Sequence, residues 1–185
     1  MSYIFNPAVK YAIEDGTLIS LDLGCGPADK KLQGFFGVDN DASLLPDIVC
    51  DLDKEPLPLP DNSVRQVYAC YILEHLENVM AVMQEIWRVC TNGAVVMVIV
   101  PHCAWDGQHK DPTHKTTFAP KSWEYWDSRQ TSVPHYGNDC KFDLVNLQFR
   151  LAPDWTSKPK SEVEFAMQHY RNVIENMTFT LTVVK

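Results

Sequence analysis

Apolar residues along the chain fall in short runs separated by polar, turn-rich stretches. Residues 17–23 (TLISLDL) read as a buried strand, 35–38 as a second short one and 47–50 as a third. Residues 64–70 (VRQVYAC) give a fourth, and 94–100 (AVVMVIV) the clearest: continuous, β-branched and too short for a membrane helix. Such continuous runs suit parallel strands covered on both faces. Between the last two, apolar residues at 76, 79, 80, 83, 86, 87 and 90 mark one face of an amphipathic helix. Asn92-Gly93 then reads as a stop and turn. Strand, helix, strand in this order predicts a parallel α/β sheet with right-handed crossovers.

After residue 100 the texture changes. Residues 101–137 are polar and aromatic with many His and Pro, a substrate-side loop region by its place after a buried strand. A short helix is expected at 120–126. Residues 141–151 and 177–184 alternate enough to be strands, and Ser161-x-x-Glu164 resembles a capping box opening a helix to about Glu175. Residues 1–16 read as a short helix or arm, a lid over the ligand. The predicted fold class is α/β: a Rossmann-like, mostly parallel twisted sheet with helices on both faces and an antiparallel C-terminal strand. A chain of 185 residues fits a single domain, 1–185.

Composition narrows the function. The net charge of −8 repels phosphate backbones and argues against nucleic acid as a partner. No apolar run is long enough to span a membrane. Six cysteines occur without a C-x-x-C pair, which suits a reduced protein rather than a disulfide scaffold. The first residues lack a basic region followed by an apolar one, so no signal peptide is expected and a cytoplasmic location is.

The stretch LDLGCGPADK (21–30) then stands out, because two glycines flank a cysteine straight after a strand. Glycines there permit positive φ and let a ligand touch the main chain, and a helix N-terminus is expected to follow. A phosphate loop would need G-x-x-x-x-G-K-[ST], which is absent. A dinucleotide turn would need a third glycine where Asp29 stands, a carboxylate that a pyrophosphate disfavours. S-adenosylmethionine (SAM), with a sulfonium, an ammonium and no phosphate, is the ligand class that carboxylates near the turn would favour.

At this point the residues resemble the class I SAM-dependent methyltransferases, nearest their small type-11-like branch. LDLGCG (21–26) is similar to that family's first motif and GVDND (37–41) to its second. CDLDKEPLPLPDNSV (50–64) is similar to the adenine-side loop, YILEHLENV (71–79) to the motif after the fourth strand, and EIWRVCTNGAVVMVIVP (85–101) to the helix and strand that follow. DPTHKTTFAP (111–120) is similar to a later segment of some members, so the likeness spans about 17 to 125. It departs at positions 28 and 29, Ala-Asp in place of a further glycine, and at Arg65, where an Asp is usual.

The resemblance implies a SAM-dependent methyltransferase, leaving S-adenosyl-L-homocysteine (SAH) as product, and it implies roles. Gly24 and Gly26 would let the methionine part of SAM lie on the backbone, with Cys25 between them. Asp22 would help hold the ammonium. Asp39, beside Asn40, would accept both ribose hydroxyls, since a carboxylate has two acceptor oxygens. Asp51 would accept from the adenine amino group and the Leu52 N–H would donate to the ring. Cys70 and Tyr71 would lie near the methionine end.

PHCAWDGQHKDPTHK (101–115) carries His102, Cys103, His109 and His114, with Asp106 and Asp111. Its spacing fits no standard zinc pattern, so no metal is expected. A nitrogen or oxygen nucleophile must lose a proton, and histidine suits that near neutral pH. His102 and His114 are the candidates near the acceptor, with His75 a third. The expected reaction is methyl transfer to the N or O of a small molecule. The shortness of the chain leaves room for a homodimer in which a second subunit covers a bulky acceptor. Two other readings stay open: a non-catalytic SAM-binding regulatory module and an NAD-type oxidoreductase.

Overall fold

Every residue of β2 (Ile19–Leu23) is buried, the pattern of a strand covered on both faces. The computed structural model of the protein describes residues 2–129 and 139–185. β2 lies inside one eight-stranded sheet with β1 (Tyr3–Ile4), β3 (Phe36–Asp39), β4 (Ile48–Val49), β5 (Val64–Cys70), β6 (Cys90–Pro101), β7 (Lys141–Leu151) and β8 (Ile174–Val184). The strand order is β1-β4-β3-β2-β5-β6-β8-β7. The inner pairs β4–β3, β3–β2, β2–β5 and β5–β6 are parallel. β8 runs antiparallel between β6 and β7, and β1 antiparallel on β4. The chain leaves β2 for β3 and β4 on one side, then returns to β5 on the other. Ligands of such sheets bind beyond the carboxyl ends of the strands at that reversal. This is the Rossmann-like α/β sheet with antiparallel C-terminal strands that the sequence predicts.

The helix between β5 and β6 is α2 (Val79–Val89), and its stripe of Val79, Val82, Met83, Ile86 and Val89 is buried. It starts three residues later than the apolar spacing suggests. The Asn78 side chain accepts from the Ala81 N–H at 3.1 Å, and Asp53 Oδ1 accepts from the N–H groups of Glu77 and Asn78. These caps satisfy orphan donors of the first turn. Upstream, Leu73–His75 forms a single 3-10 turn instead. Arg88, at the far end of α2, binds Glu85, Asp61 and the carbonyls of Leu57 and Leu59. It thereby ties the 57–61 loop to the helix.

Several local expectations give way to longer-range pairing. No helix follows the glycine turn; residues 24–35 are turns and loop. Asn92-Gly93 does not end an element but lies in a bulge of β6, where pairing jumps from Val64↔Cys90 to Gln66↔Val95 and Gly93 takes φ +79°. The capping box at Ser161 does not form, because α4 (Lys160–His169) already begins after Pro159. α4 ends at His169, and Glu175 belongs to β8. α1 (Pro7–Asp15) and β1 account for the N-terminal stretch, and α1 is capped by the Asn6 side chain. Within the long loop after β6 lie α3 (Asp106–Lys110) and a 3-10 turn, Ser122–Tyr125. Of that loop, 130–137 lies outside the described residues. Among the described residues no helix is long and apolar enough to cross a membrane, and none of the six cysteines is bridged.

Candidate functional site

Strand β2 hands the chain to a turn in which Gly24 has φ +65° and Gly26 φ +62°. The Gly24 and Cys25 N–H groups both donate to the Val38 carbonyl, at 2.8 and 3.2 Å, so the turn bends over the end of β3. The Gly26 N–H donates to Asp39 Oδ2 at 3.0 Å, and the Asp41 N–H to Asp39 Oδ1 at 3.0 Å. Asp39 is thus oriented by two backbone donors while each oxygen keeps a further lone pair. Asp22 is buried and accepts from the Leu32 N–H at 2.8 Å; burial raises its pKa against that hydrogen bond. Cys25 is a packing group. Its thiol is pushed up to about 11, chiefly by burial, and a Cβ on Gly37 would lie 2.6 Å from its sulfur.

A cavity of about 330 Å³ opens at this turn, lined by Gly24, Asp39, Asn40, Asp51, Leu52 and Ile72 among others. Asp51 Oδ2 binds Lys54 Nζ at 2.6 Å, which holds the carboxyl below its ordinary pKa. Asp22, Cys25, Gly26 and Cys70 do not line this space. Nor does any residue of the N-terminal stretch, which pairs with the edge strand β4.

A second, more open cavity of about 420 Å³ is lined by Tyr71, Glu74, Trp105, His114, Arg150 and Asn176 among others. His75 borders both cavities. Tyr71 sits at φ +54°, a conformation rare for a bulky residue and concentrated at functional sites. Its hydroxyl accepts from Asn176 Nδ2 at 2.8 Å, which leaves the hydroxyl proton available to another acceptor. Burial raises its pKa.

Glu74, His75 and His114 meet at this second cavity, their ligand-type atoms within 4.8 Å of one another. The two imidazoles stand edge to face with centroids 4.7 Å apart. The loop carrying His114 is fastened there by the Lys115 and Thr116 N–H groups, which donate to the Glu74 carbonyl at 2.7 and 3.0 Å. Burial pushes the Glu74 carboxyl up to about 7. Burial, then the neighbouring His114, lowers the pKa of His75.

His102 is placed differently. It is buried at the end of strand β6, lines neither cavity, and accepts from the Ala104 N–H through Nδ1 at 3.1 Å. Burial lowers its pKa. Of the three candidate histidines, the structure brings together His75 and His114.

Glu74 was not singled out by sequence reasoning, although it lies in the quoted stretch 71–79. The available signal was an acidic side chain inside an otherwise apolar segment leading into a helix. Lys115, which reaches Glu77 at 3.0 Å, and Asn176 on β8 carry no local signal at all.

Comparison with known proteins bears on the fold. Residues 21–98 match the family model described as a methyltransferase domain. A SAM-dependent methyltransferase from Archaeoglobus fulgidus superposes with a TM-score of 0.61 at 15% identity, covering 95% of this chain and 90% of that one. A [4+2]-cyclase, SpnF, gives 0.59 at 14% identity, covering 96% and 81%. A putative methyltransferase from Haloferax volcanii, solved in complex with the Trm112 methyltransferase activator, gives 0.58 at 16% identity, covering 96% and 88%. At such identities the superpositions establish the shared fold. A search of curated protein sequences found no match.

Proposed function

We propose that this chain is a class I SAM-dependent methyltransferase and that it carries a methyl group from SAM to an oxygen or nitrogen of a small-molecule acceptor. The observation that carries the reading is the meeting of two cavities at His75, one against the glycine turn and one beyond it.

The residues of the first cavity fit SAM. Asp39 offers lone pairs for the two ribose hydroxyls, and its orientation is already set by the Gly26 and Asp41 N–H groups. Asp51 and the Leu52 backbone lie further along the same cavity, where they would meet the adenine. Buried Asp22 would face the ammonium from behind the turn. Residues 24–35 form no helix, so no helix N-terminus is offered to a pyrophosphate; that weighs against a dinucleotide. SAM supplies a methyl group already activated by a cationic sulfur, so the protein's task is alignment and exclusion of water.

The second cavity would hold the acceptor. Its size suits a small molecule rather than a chain. Tyr71 would donate its free hydroxyl proton to the acceptor, and Trp105 would cover one face. The acceptor's own proton would pass to the His75–His114 pair, whose rings reach the cavity.

The test uses SAM with a labelled methyl group and pooled small-molecule acceptors, with SAH formation as the readout. The expected result is acceptor-dependent SAH and label in a small molecule. Turnover should fall at least about tenfold in His114→Ala, with SAH affinity within about twofold of the parent protein. Label found only in added protein or nucleic acid would overturn the reading.

A further inference from the structure

The carboxylate of Glu74 has no role in the reading above. Glu74 is 0% exposed, and neither carboxylate oxygen has a hydrogen-bond partner. A buried ionised carboxylate in that state is strongly unfavourable, and it is relieved either by taking up a proton or by a cation that joins it. It borders the acceptor cavity, and two imidazoles converge on it.

The hydrogen bonds assign both imidazoles their proton on Nδ1. The Thr113 hydroxyl donates to Asp111 Oδ1 at 2.7 Å, so its oxygen is left to accept from His75 Nδ1 at 2.9 Å. His114 Nδ1 donates to the Gln108 carbonyl at 2.8 Å. Each ring therefore keeps its lone pair on Nε2. A histidine whose second nitrogen is anchored to an acceptor is the usual arrangement around a bound metal ion. The anchoring loop is itself fixed, since Thr116 Oγ1 also donates to the Leu76 carbonyl at 3.1 Å.

We propose that Glu74, His75 and His114 bind a divalent transition-metal ion of the zinc class, with open coordination positions facing the acceptor cavity. Atoms bound tetrahedrally to one ion at ~2.0–2.2 Å lie ~3.3–3.6 Å apart, so a group whose atoms lie within 4.8 Å of one another closes on the ion by side-chain shifts of about 1 Å. Two histidines and one carboxylate are an established zinc set that leaves room for a further ligand. Through that position the ion binds the acceptor's oxygen or nitrogen and releases its proton to water. The ion thus does by its charge what the free imidazoles would do as bases. The use of the ion rests on the methyl-transfer reading; its binding does not.

The experiment titrates chelator-treated protein with Co²⁺, follows the visible d–d absorption, and then displaces Co²⁺ with Zn²⁺. One site per chain is expected. Glu74→Gln and His114→Ala should each weaken it at least about tenfold. His109→Ala, whose ring meets the Cys103 carbonyl, should leave it intact. SAH titration and circular dichroism on the same samples report whether each variant is folded. SAH binding with no d–d band in the parent protein overturns the inference. So does a band that survives both Glu74→Gln and His114→Ala in folded protein, or one that His109→Ala removes. A metal site in protein that binds no SAH supports the inference and counts against the methyltransferase reading instead.

Discussion

Gly24 and Ile72 meet so closely that a methyl group on Gly24 would lie 2.9 Å from three side-chain carbons of Ile72. Gly24 also sits at φ +65°. The turn at the end of strand β2 and the segment after strand β5 are therefore fitted to each other at the first cavity, the one proposed for SAM. Gly24→Ala should cost about 2–4 kcal/mol, from backbone strain and overpacking together, and should weaken SAH binding. Ile72→Ala in the same chain removes two of the three close carbons and should restore part of the loss. Thermal unfolding of the single and double variants measures the coupling; strictly additive losses would mean the two sites do not interact.

Asp47 predicts sensitivity to acid. It is buried, and accepts from Lys31 Nζ at 2.6 Å, Asn6 Nδ2 at 2.6 Å and the Gly37 N–H at 2.7 Å. Burial alone would raise its pKa, but these hydrogen bonds outweigh it and hold the carboxyl below its ordinary value. A depressed folded-state pKa gives stability that is present above the unfolded value and lost as pH falls through the folded one. The protein should therefore lose stability below about pH 4. Asp47→Asn should lose about 2 kcal/mol at neutral pH and show a shallower fall in acid. Urea unfolding of both proteins across pH 3 to 7, an interval on the order of four units, compares the slopes.

The Thr113 hydroxyl meets His75 Nδ1 at 2.9 Å, and its own bond to Asp111 predicts that the ring is the donor. Nitrogen-15 chemical shifts should show His75 protonated at Nδ1 in the parent protein. Thr113→Val removes the acceptor oxygen and should shift the population toward the Nε2–H form, while Thr113→Ser should retain the parent spectrum. SAH affinity should stay within about twofold in both. Unchanged shifts in Thr113→Val would show that the hydroxyl does not orient the ring.

The sheet was legible because its signals are local. Residues 64–70 and 94–100 are strands on composition alone, and the stripe from 79 to 89 is a helix on spacing alone. The glycine turn was legible for the same reason, since close backbone approach demands a residue without a Cβ. The helix expected after it is absent because residues 24–35 are tied elsewhere, through Leu32 to Asp22 and Lys31 to Asp47. Ser161-x-x-Glu164 was a sound local pattern displaced by Pro159, which starts the helix one residue before Ser161. The cluster at Glu74 was not legible. Glu74 and His75 meet His114 only because the 111–116 loop docks on the 73–75 turn through backbone hydrogen bonds, which carry no side-chain signature.

The most direct test of the account is a calorimetric titration of the protein with SAH, beside Asp39→Ala. Asp39, in the cavity proposed for SAM, is held by the glycine turn itself through the Gly26 N–H. The account predicts a Kd on the order of micromolar. It also predicts about a hundredfold loss in Asp39→Ala, from two charge-assisted hydrogen bonds of ~1.5 kcal/mol each. No heat of binding at millimolar SAH in folded protein, or binding that Asp39→Ala leaves unchanged, would contradict it.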